Sequence, residues 1–159
     1  MNADLILWRH AEAEDLIDNE DAGGNDLSRR LTAKGEKQAA RMAAWLQQRL
    51  PEDTRVWSSP AVRTEQTVLA LGRKYRISEQ LQPGAGPDDL LQLLNWPQLR
   101  HPALVVGHQP TLGRVVSRLL GLSEGECSFR KGAVWWLRQR ERNGVLQTVL
   151  VTVQAPELL

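Results

Sequence analysis

The sequence predicts an α/β protein, a three-layer α/β/α sandwich with a largely parallel central sheet. Short apolar runs typical of buried strands alternate with segments of helical periodicity, and no repeat or interdomain linker interrupts this order. The 159 residues are 42% hydrophobic and 25% charged, close to the average for globular proteins. A domain of this length buries about two-thirds of its unfolded surface. We therefore expect one domain over residues 1–159.

The first strand is predicted at residues 4–8, a short apolar run of the kind that is buried on both faces of a sheet. Arg9 and His10 follow where this strand ends. Residues 12–26 then lack apolar periodicity and hold many acidic side chains around a glycine pair, so we expect an exposed acidic loop. The acids of this loop are Glu12, Glu14, Asp15, Asp18, Glu20, Asp21 and Asp26.

A helix, a strand and a second helix are predicted next. Residues 32–50 have apolar side chains near helical spacing, with Thr32 as a favourable N-cap and a proline directly after the segment. Residues 55–58 form the second predicted strand. Ser59 is then an N-cap followed by proline at the first helical position, which predicts a helix through about Lys74.

The strand, loop and helix order then recurs twice. In chain order, we expect a strand over 76–81, a loop over 84–87, a helix over 88–96, a strand over 102–107 and a helix over 110–120. His108 lies directly after the fourth strand, as His10 lies directly after the first.

Two closing strands are predicted at residues 133–138 and 146–153, which are rich in Val, Trp and Thr. Asn143 and Gly144 separate them and form a dipeptide typical of hairpin turns. We therefore expect antiparallel edge strands here.

Basic and imidazole side chains follow three of the predicted strands. Arg9 and His10 end the first strand, Ser59 and Arg63 follow the second, and His108 ends the fourth. In open α/β sheets, ligands bind beyond the carboxyl ends of the strands, and helix N-termini nearby favour anions. The pattern therefore predicts a shared site for a phosphoryl group.

Other chemical interpretations of these residues are weaker. Arg9 and Arg63 would oppose a metal cation beside the two histidines, and no metal-ligand spacing is present. Cys127 lies outside the strand-end pattern, so a cysteine nucleophile is not favoured. His101 precedes its strand, at the opposite edge of the sheet, and we assign it no role.

Bulk properties restrict the class of partner and the compartment. A net charge of +1 gives no overall basic field of the kind that nucleic-acid-binding proteins carry. No apolar run approaches the roughly 20 residues that span a bilayer. The single Cys127 cannot form an internal disulfide, and no signal peptide is recognisable. These features predict a cytoplasmic protein without nucleic-acid or membrane partners.

Four ordered motifs resemble the histidine phosphatase superfamily. The first is Leu-Trp-Arg-His-Ala-Glu at 7–12, which resembles the superfamily's Arg-His-Gly signature. Segments 31–39, 58–67 and 107–110 resemble its first-helix, second-arginine and second-histidine motifs. The resemblance implies a phosphoglycerate mutase-like fold. The small size, without an insertion that would cap the site, is most similar to the SixA phosphohistidine phosphatases.

The resemblance also implies a covalent mechanism without a metal or other cofactor. His10 would attack phosphorus and form a transient phosphohistidine, which water then hydrolyses. Arg9, Arg63, a protonated His108 and Ser59 would hold the phosphoryl oxygens. Phosphate or vanadate would then be ligands of this site.

The sequence departs from the superfamily pattern in three places. Ala11 replaces the common glycine, and we expect this to be tolerated. Phosphoglycerate mutases typically carry Asn where this chain has Leu16, which weakens a sugar-phosphate interpretation. Residues 83–87 lack the acid that many members use to protonate an alcohol leaving group. Asp88, Asp89 or an acid of the acidic loop could substitute, so the general acid stays unassigned.

The missing acid favours one substrate class. The imidazole of a phosphohistidine leaves more readily than an alkoxide, so its release needs less proton donation. The sequence therefore predicts a phosphatase acting on a phosphohistidine-bearing protein, and the acidic loop would favour a partner with a basic surface around that group. Two alternatives stay open, a small-molecule phosphomonoesterase and a catalytically silent phosphoryl-binding module.

Overall fold

The computed structural model describes residues 3–16 and 25–159. They form one six-stranded sheet in the order β3-β2-β4-β1-β5-β6. The strands are β1 (Ala3–Arg9), β2 (Arg55–Ser58), β3 (Arg76–Ile77), β4 (Ala103–Gly107), β5 (Val134–Arg142) and β6 (Val145–Gln154). The helices are α1 (Ala33–Gln47), α2 (Val62–Leu69), α3 (Pro87–Leu93) and α4 (Thr111–Leu120).

The four strands β3, β2, β4 and β1 are parallel, and β5 and β6 are antiparallel to them. The predicted α/β class is therefore confirmed. The prediction that both closing strands lie at an edge is wrong, because β5 pairs with β1 on one side and β6 on the other. The hairpin prediction is confirmed: Asn143 and Gly144 both have positive φ, 52° and 77°, as the tight turns of twisted hairpins require.

Helices cover both faces of the sheet, and β1 illustrates how. Alternate side chains of a strand point to opposite faces. Ile6 and Trp8 pack in a core cluster with Met42 of α1 and Val68 of α2. Leu5 and Leu7 pack in a second cluster on the other face, which includes Leu90 of α3 and Leu112, Val115 and Val116 of α4. These four side chains of β1 are all fully buried. The three-layer prediction is therefore confirmed.

The start of α1 is tied to the segment that follows β1. Thr32 is the N-cap, and its Oγ1 accepts the Gly35 N–H at 3.0 Å. A Cβ at Gly35 would lie 2.0 Å from the carbonyl oxygen of Glu12. Only glycine permits this close approach, which fixes the segment after His10 against the helix.

The second helix is shorter than the sequence predicts. It begins at Val62 with Ala61 as N-cap, because the Ser59 hydroxyl accepts the Ala61 N–H at 3.2 Å before the helix starts. It ends at Leu69 rather than near Lys74, because Gly72 adopts a left-handed φ of 72° that a helix cannot continue through.

The third predicted strand and third helix are also shorter. The strand contains only Arg76–Ile77, and a 3-10 turn, Glu79–Leu81, follows it. The helix α3 ends at Leu93, and Asn95 just beyond it has a φ of 57°. The fourth helix begins at Thr111, directly after Pro110.

The acidic loop is described only at its two ends, since residues 17–24 lie outside the described part. Its first end is held against residues 30 and 31, which follow the loop. Ala13 forms an antiparallel bridge with Leu31, and the Glu14 N–H donates to the Arg30 carbonyl at 2.8 Å. The Glu12 and Glu14 residues are half-buried, so the exposed character that the sequence predicts does not extend to them. Among the helices of the described part, none is long and apolar enough to cross a membrane.

Candidate active site

The carboxyl ends of β2, β4 and β1 bring the predicted residues together. The His10 N–H donates to the Gly107 carbonyl at 3.2 Å, and the Ser59 N–H donates to the Val106 carbonyl at 3.1 Å. The His10 and His108 rings therefore lie side by side, with centroids 5.3 Å apart. We call the five residues Arg9, His10, Ser59, Arg63 and His108 the site cluster.

The tautomer of His10 follows from one hydrogen bond. Its Nδ1 lies 2.7 Å from the Ala11 carbonyl oxygen, and a carbonyl only accepts. The proton is therefore on Nδ1, which leaves the lone pair on Nε2. The sequence did not reveal this partner, because nothing in it indicates the rotation of the ring.

Burial lowers the pKa of His10 to about 3. The bond to Ala11 opposes this shift, whereas the nearby charges of Arg63, Arg9 and Arg29 add to it. At neutral pH the ring is thus uncharged. A neutral imidazole with a free nitrogen is a nucleophile.

The Ala11 peptide is itself held by α2. Its N–H donates to Thr67 Oγ1 at 3.1 Å, and the Thr67 hydroxyl donates to the Arg63 carbonyl at 2.8 Å. Ala11 and Thr67 are both fully buried. Ala11 does not have the positive φ that would require glycine, since the non-glycine residues of the described part with positive φ are Asn95 and Asn143. The expectation that Ala11 is tolerated is confirmed.

His108 contacts Ser59. Its Nε2 lies 2.8 Å from the Ser59 hydroxyl oxygen, and both residues are buried. Burial lowers the pKa of His108 to about 2, and the charges of His10 and Arg63 add to the effect. His108 is therefore neutral at pH 7 in this structure, which differs from the protonated ring that the resemblance implies. The approach of a phosphoryl dianion would oppose these causes and raise the pKa.

Arg63 is 4% exposed and pairs with Asp26. Its Nη1 donates to the Asp26 carbonyl at 2.7 Å, and its Nη2 donates to the Asp26 carboxylate at 3.1 Å. Burial lowers the pKa of Arg63, and Asp26 opposes that shift. Burial would raise the pKa of Asp26, but hydrogen bonds and charges from Arg29 and Arg63 outweigh it. Asp26 is therefore a carboxylate at neutral pH.

Arg9, the last residue of β1, contacts the segment that precedes β5. Its Nη1 donates to the Phe129 carbonyl at 2.7 Å, and burial lowers its pKa. Five buried side-chain nitrogens or oxygens in the described residues have no hydrogen-bond partner, and three belong to the cluster: Arg9 Nε, Arg63 Nε and His108 Nδ1. An unsatisfied buried donor costs about 1–3 kcal/mol. The two unpaired guanidinium N–H donors, of Arg9 and Arg63, favour an anionic ligand here.

Sequence analysis missed Arg29 and did not distinguish Asp26 from the other acids of the loop. Arg29 Nη1 donates to the Asp26 carboxylate at 3.1 Å, and its Nε donates to the Glu14 carbonyl at 2.6 Å. The spacing of Asp26 and Arg29 by three residues was the available signal. It pointed to a local ion pair and not to the contact with Arg63.

The other candidate acids lie elsewhere. Asp88 forms an ion pair with Arg118, and Asp89 accepts the Gly86 N–H at 2.9 Å in the first turn of α3. His101 contacts Arg55 and Asp53 at the opposite end of the strands, where the sequence places it. Cys127 contacts Ser117 and is outside the cluster. Within residues 3–16 and 25–159, no group of three or more His, Cys, Asp or Glu side chains could hold a metal ion.

Comparisons with known proteins agree with this geometry. The sequence model of the histidine phosphatase superfamily (branch 1) matches residues 5–84, which are 80 of the 159 residues. The match includes Arg9, His10, Ser59 and Arg63, and His108 lies beyond it. Among proteins with curated descriptions, none has significant sequence similarity to this chain.

Solved structures match nearly the whole chain. A protein from Nakamurella multipartitia, provisionally named as the phosphohistidine phosphatase SixA, is 27% identical over 98% of this chain and 97% of that chain, with a TM-score of 0.78. The protein histidine phosphatase SixA in complex with tungstate is 24% identical over 98% of each chain, with a TM-score of 0.76.

A third structure has the same fold with another described activity. Mycobacterial glucosyl-3-phosphoglycerate phosphatase in complex with VO3 is 18% identical over 96% of this chain and 99% of that chain, with a TM-score of 0.70. The fold therefore accommodates more than one substrate class. The ordered motifs, the mixed sheet and the family match agree: the chain belongs to the histidine phosphatase superfamily, branch 1.

Proposed function

We propose that this phosphatase removes the phosphoryl group from a phosphohistidine-bearing protein. One observation carries the proposal: His10 donates its Nδ1 proton to Ala11 and so presents a free Nε2 beside His108, among guanidinium groups that attract a phosphoryl dianion. Similarity to SixA structures supports the choice of substrate class. The whole chain, residues 1–159, then acts as one histidine phosphatase domain.

The first step transfers the phosphoryl group. The lone pair of His10 Nε2 attacks phosphorus, the new N–P bond forms, and the P–N bond to the substrate imidazole breaks. That imidazole takes up a proton from solvent and leaves as a neutral ring. No strong general acid is needed, and Asp26, the acid that contacts the site cluster, is already ionised.

The second step hydrolyses the phosphoenzyme. Water attacks phosphorus, the bond to His10 Nε2 breaks, inorganic phosphate leaves and the displaced proton passes to solvent. In both steps, Arg9, Arg63 and Ser59 hold the phosphoryl oxygens, and His108 adds a donor once the dianion raises its pKa. Tungstate and vanadate complexes of structurally similar proteins support oxyanion binding at this position.

We also propose that the reaction needs no metal ion. The arginine charges oppose a cation beside His10 and His108, and the part of the chain that the structure describes offers no set of three metal ligands. A cytoplasmic location belongs to the same proposal, since Cys127 is a free thiol.

The test is to trap the phosphoenzyme. The protein is mixed with a phosphohistidine protein, quenched in alkali and digested, and the peptides are searched by mass spectrometry for phosphate on His10. We expect the label on His10, loss of label and turnover in His10→Ala, and both retained in His101→Ala, which removes a histidine at the other end of the strands. Turnover that persists in His10→Ala would overturn the proposal.

A small-molecule phosphomonoesterase is the second candidate. Glucosyl-3-phosphoglycerate phosphatase has this fold, but Asp26, the acid beside Arg63, is ionised and is therefore a poor proton donor to an alcohol leaving group. A sugar phosphate as rival donor in the same experiment distinguishes the two. Faster labelling of His10 from the sugar phosphate would favour the esterase. Vanadate binding without any trapped phosphoenzyme would favour a silent binding module.

A further inference from the structure

A wide groove opens at the amino-terminal ends of β2 and β3, at the opposite end of these strands from the site cluster. Its volume is about 1220 Å³. Its basic and aromatic lining residues are Arg55, Trp57, Arg73, Lys74, Tyr75 and Arg76. We call this surface the basic groove. No step of the proposed mechanism uses it.

Positive charge is concentrated in the basic groove. Four of the lining side chains are cationic and one, Glu52, is acidic, whereas the net charge of the whole chain is only +1. Among the ion pairs of the described residues, none includes these four cations. The groove therefore has an excess of positive charge, and its cations form no direct ion pair with a described carboxylate.

Three of the four cations are exposed, and one of them, Arg55, also donates to His101 Nε2 at 3.2 Å. Arg73 is occupied, since it donates to the carbonyls of Leu50 and Pro51 and so forms part of the groove wall. Arg55 and Arg76 are exposed. The Arg76 guanidinium lies over the Trp57 ring, 5.9 Å from its centroid, at the edge of the range for a cation–π contact.

Lys74 is also exposed and has no hydrogen bond or ion pair to another described residue. Compact ammonium groups of this kind attract carboxylates without demanding a fixed geometry. The groove thus combines a wall that is held by hydrogen bonds with exposed positive charge.

The groove is separate from the site cluster but close enough for one partner to contact both. β2 leads from Arg55 in the groove to Ser58, next to Ser59 of the cluster. At about 3.3 Å per residue, Arg55 and Ser59 are on the order of 13 Å apart. A protein interface, with roughly 20–30 residues on each side, covers such a distance.

The size and charge of the groove select its occupant. Its volume exceeds the range of about 300–1,000 Å³ typical of small-molecule sites, which favours an extended chain segment. Three available cations are too few for the long basic stripe that tracks a nucleic-acid backbone. Carboxylates along an extended peptide match their charge.

We propose that the basic groove docks an acidic segment of the phosphoprotein substrate while the site cluster acts on its phosphohistidine. This docking rests on the proposed function for the identity of the partner. The binding itself does not depend on turnover, so the two can be tested separately.

The binding test uses a fluorescein-labelled decapeptide of glutamate and serine, followed by fluorescence anisotropy. The groove variant is R55E/K74E/R76E, and the control variant K37E/R41E/R142E has the same charge change at exposed positions elsewhere. We expect wild type and control to bind alike and the groove variant to bind at least tenfold more weakly. Equal weakening in both variants, or preferred binding of a single-stranded oligonucleotide to the groove, would overturn the proposal.

The kinetic test uses a phosphohistidine peptide with and without a glutamate-rich extension. We expect the groove variant to raise KM about tenfold for the extended peptide, with kcat unchanged and no effect on the short peptide. An equal KM for both peptides in wild type would contradict docking. If neither peptide is turned over although the glutamate decapeptide binds, the proposed function fails and the docking surface stands.

Discussion

The Nδ1 atom of His10 lies 2.7 Å from the carbonyl oxygen of Ala11, the next residue in the chain. Because the His10 ring is hydrogen-bonded to this carbonyl, a shift of the Ala11 backbone would also change the orientation of the ring. The backbone of Ala11 is held on both sides: its N–H donates to Thr67 Oγ1 at 3.1 Å, and the N–H of Glu12, in the same peptide as the Ala11 carbonyl, donates to Gln38 Oε1 at 2.9 Å. The orientation of the His10 ring therefore depends in part on a hydroxyl group in α2.

Replacing Thr67 by valine tests this dependence. Thr67→Val keeps the shape of the side chain but leaves the buried Ala11 N–H without an acceptor, and we expect kcat to fall about tenfold, at the lower end of the effect of residues that orient metal-bound histidines. The ¹⁵N NMR spectrum of His10 should show loss of the single Nδ1–H tautomer. Thr67→Ser keeps the hydroxyl group, so it should retain the wild-type kcat and the single Nδ1–H tautomer.

Thr54→Val is the matched control for that prediction. Thr54 is also buried, and its hydroxyl donates to the Pro51 carbonyl at 2.7 Å, away from the site cluster. Its loss should lower stability without changing the His10 spectrum. An unchanged His10 spectrum in Thr67→Val would refute the positioning role.

The two buried histidines predict how stability depends on pH. Burial lowers the pKa of His10 to about 3 and that of His108 to about 2, whereas both titrate near 6.5 when unfolded. Between pH 6.5 and 3 the unfolded chain binds protons that the folded protein does not. Stability therefore falls as pH decreases, by up to about 1.4 kcal/mol per pH unit for each histidine, and neither contributes above pH 6.5.

Urea unfolding at pH 7.5 and pH 5 measures this effect. The ordinary carboxyl pKa lies below that window, so the histidines dominate the difference. We expect the wild-type midpoint to be lower at pH 5, and His108→Gln to reduce the difference because only His10 then contributes. If the urea midpoint changed equally between pH 7.5 and pH 5 in the wild type and in His108→Gln, the depressed pKa of His108 would be contradicted.

Asp26 partly neutralises Arg63, so its removal should strengthen oxyanion binding. In Asp26→Asn the Arg63 guanidinium keeps the backbone carbonyl as a partner but loses the carboxylate charge. We expect the vanadate inhibition constant to decrease about fivefold, corresponding to about 1 kcal/mol. Asp53→Asn, at the other end of the strands, should leave the constant unchanged. Weaker inhibition in Asp26→Asn would mean that Asp26 positions Arg63 for the ligand.

Gly35 provides a test of the close contact between α1 and the segment after His10. A Cβ there would lie 2.0 Å from the Glu12 carbonyl oxygen. Gly35→Ala should lower the free energy of unfolding by about 2 kcal/mol or more, because backbone must move. Gly125→Ala, where no atom lies within 4 Å of the added Cβ, should have little effect. Equal midpoints in urea for the two variants would exclude the contact.

The sequence predicts the site cluster well because strand ends are simple to recognise. An apolar run precedes His10 and another precedes His108, and adjacent parallel strands end at the same edge of a sheet. The element boundaries were less predictable. Gly72, just beyond α2, has a φ of 72°; because glycine adopts positive and negative φ about equally readily, the sequence does not indicate which one the fold selects.

Two features of the site could not be predicted, for different reasons. The contact of Asp26 with Arg63 joins residues 37 positions apart, and composition does not distinguish Asp26 from the other acids of its loop. The depressed pKa of His108 arises from burial and from the charges around it, which depend on the folded arrangement.

The position of β1 between β4 and β5 has a consequence for biosynthesis. His10 is synthesised long before the residues with which its strand pairs, 103–107 on one side and 134–139 on the other. Such distant pairing closes late, because the intervening chain must first lose its freedom. A nascent chain that ends before residue 103 would therefore carry His10 without β4 and without His108, whose ring lies beside it in the folded protein.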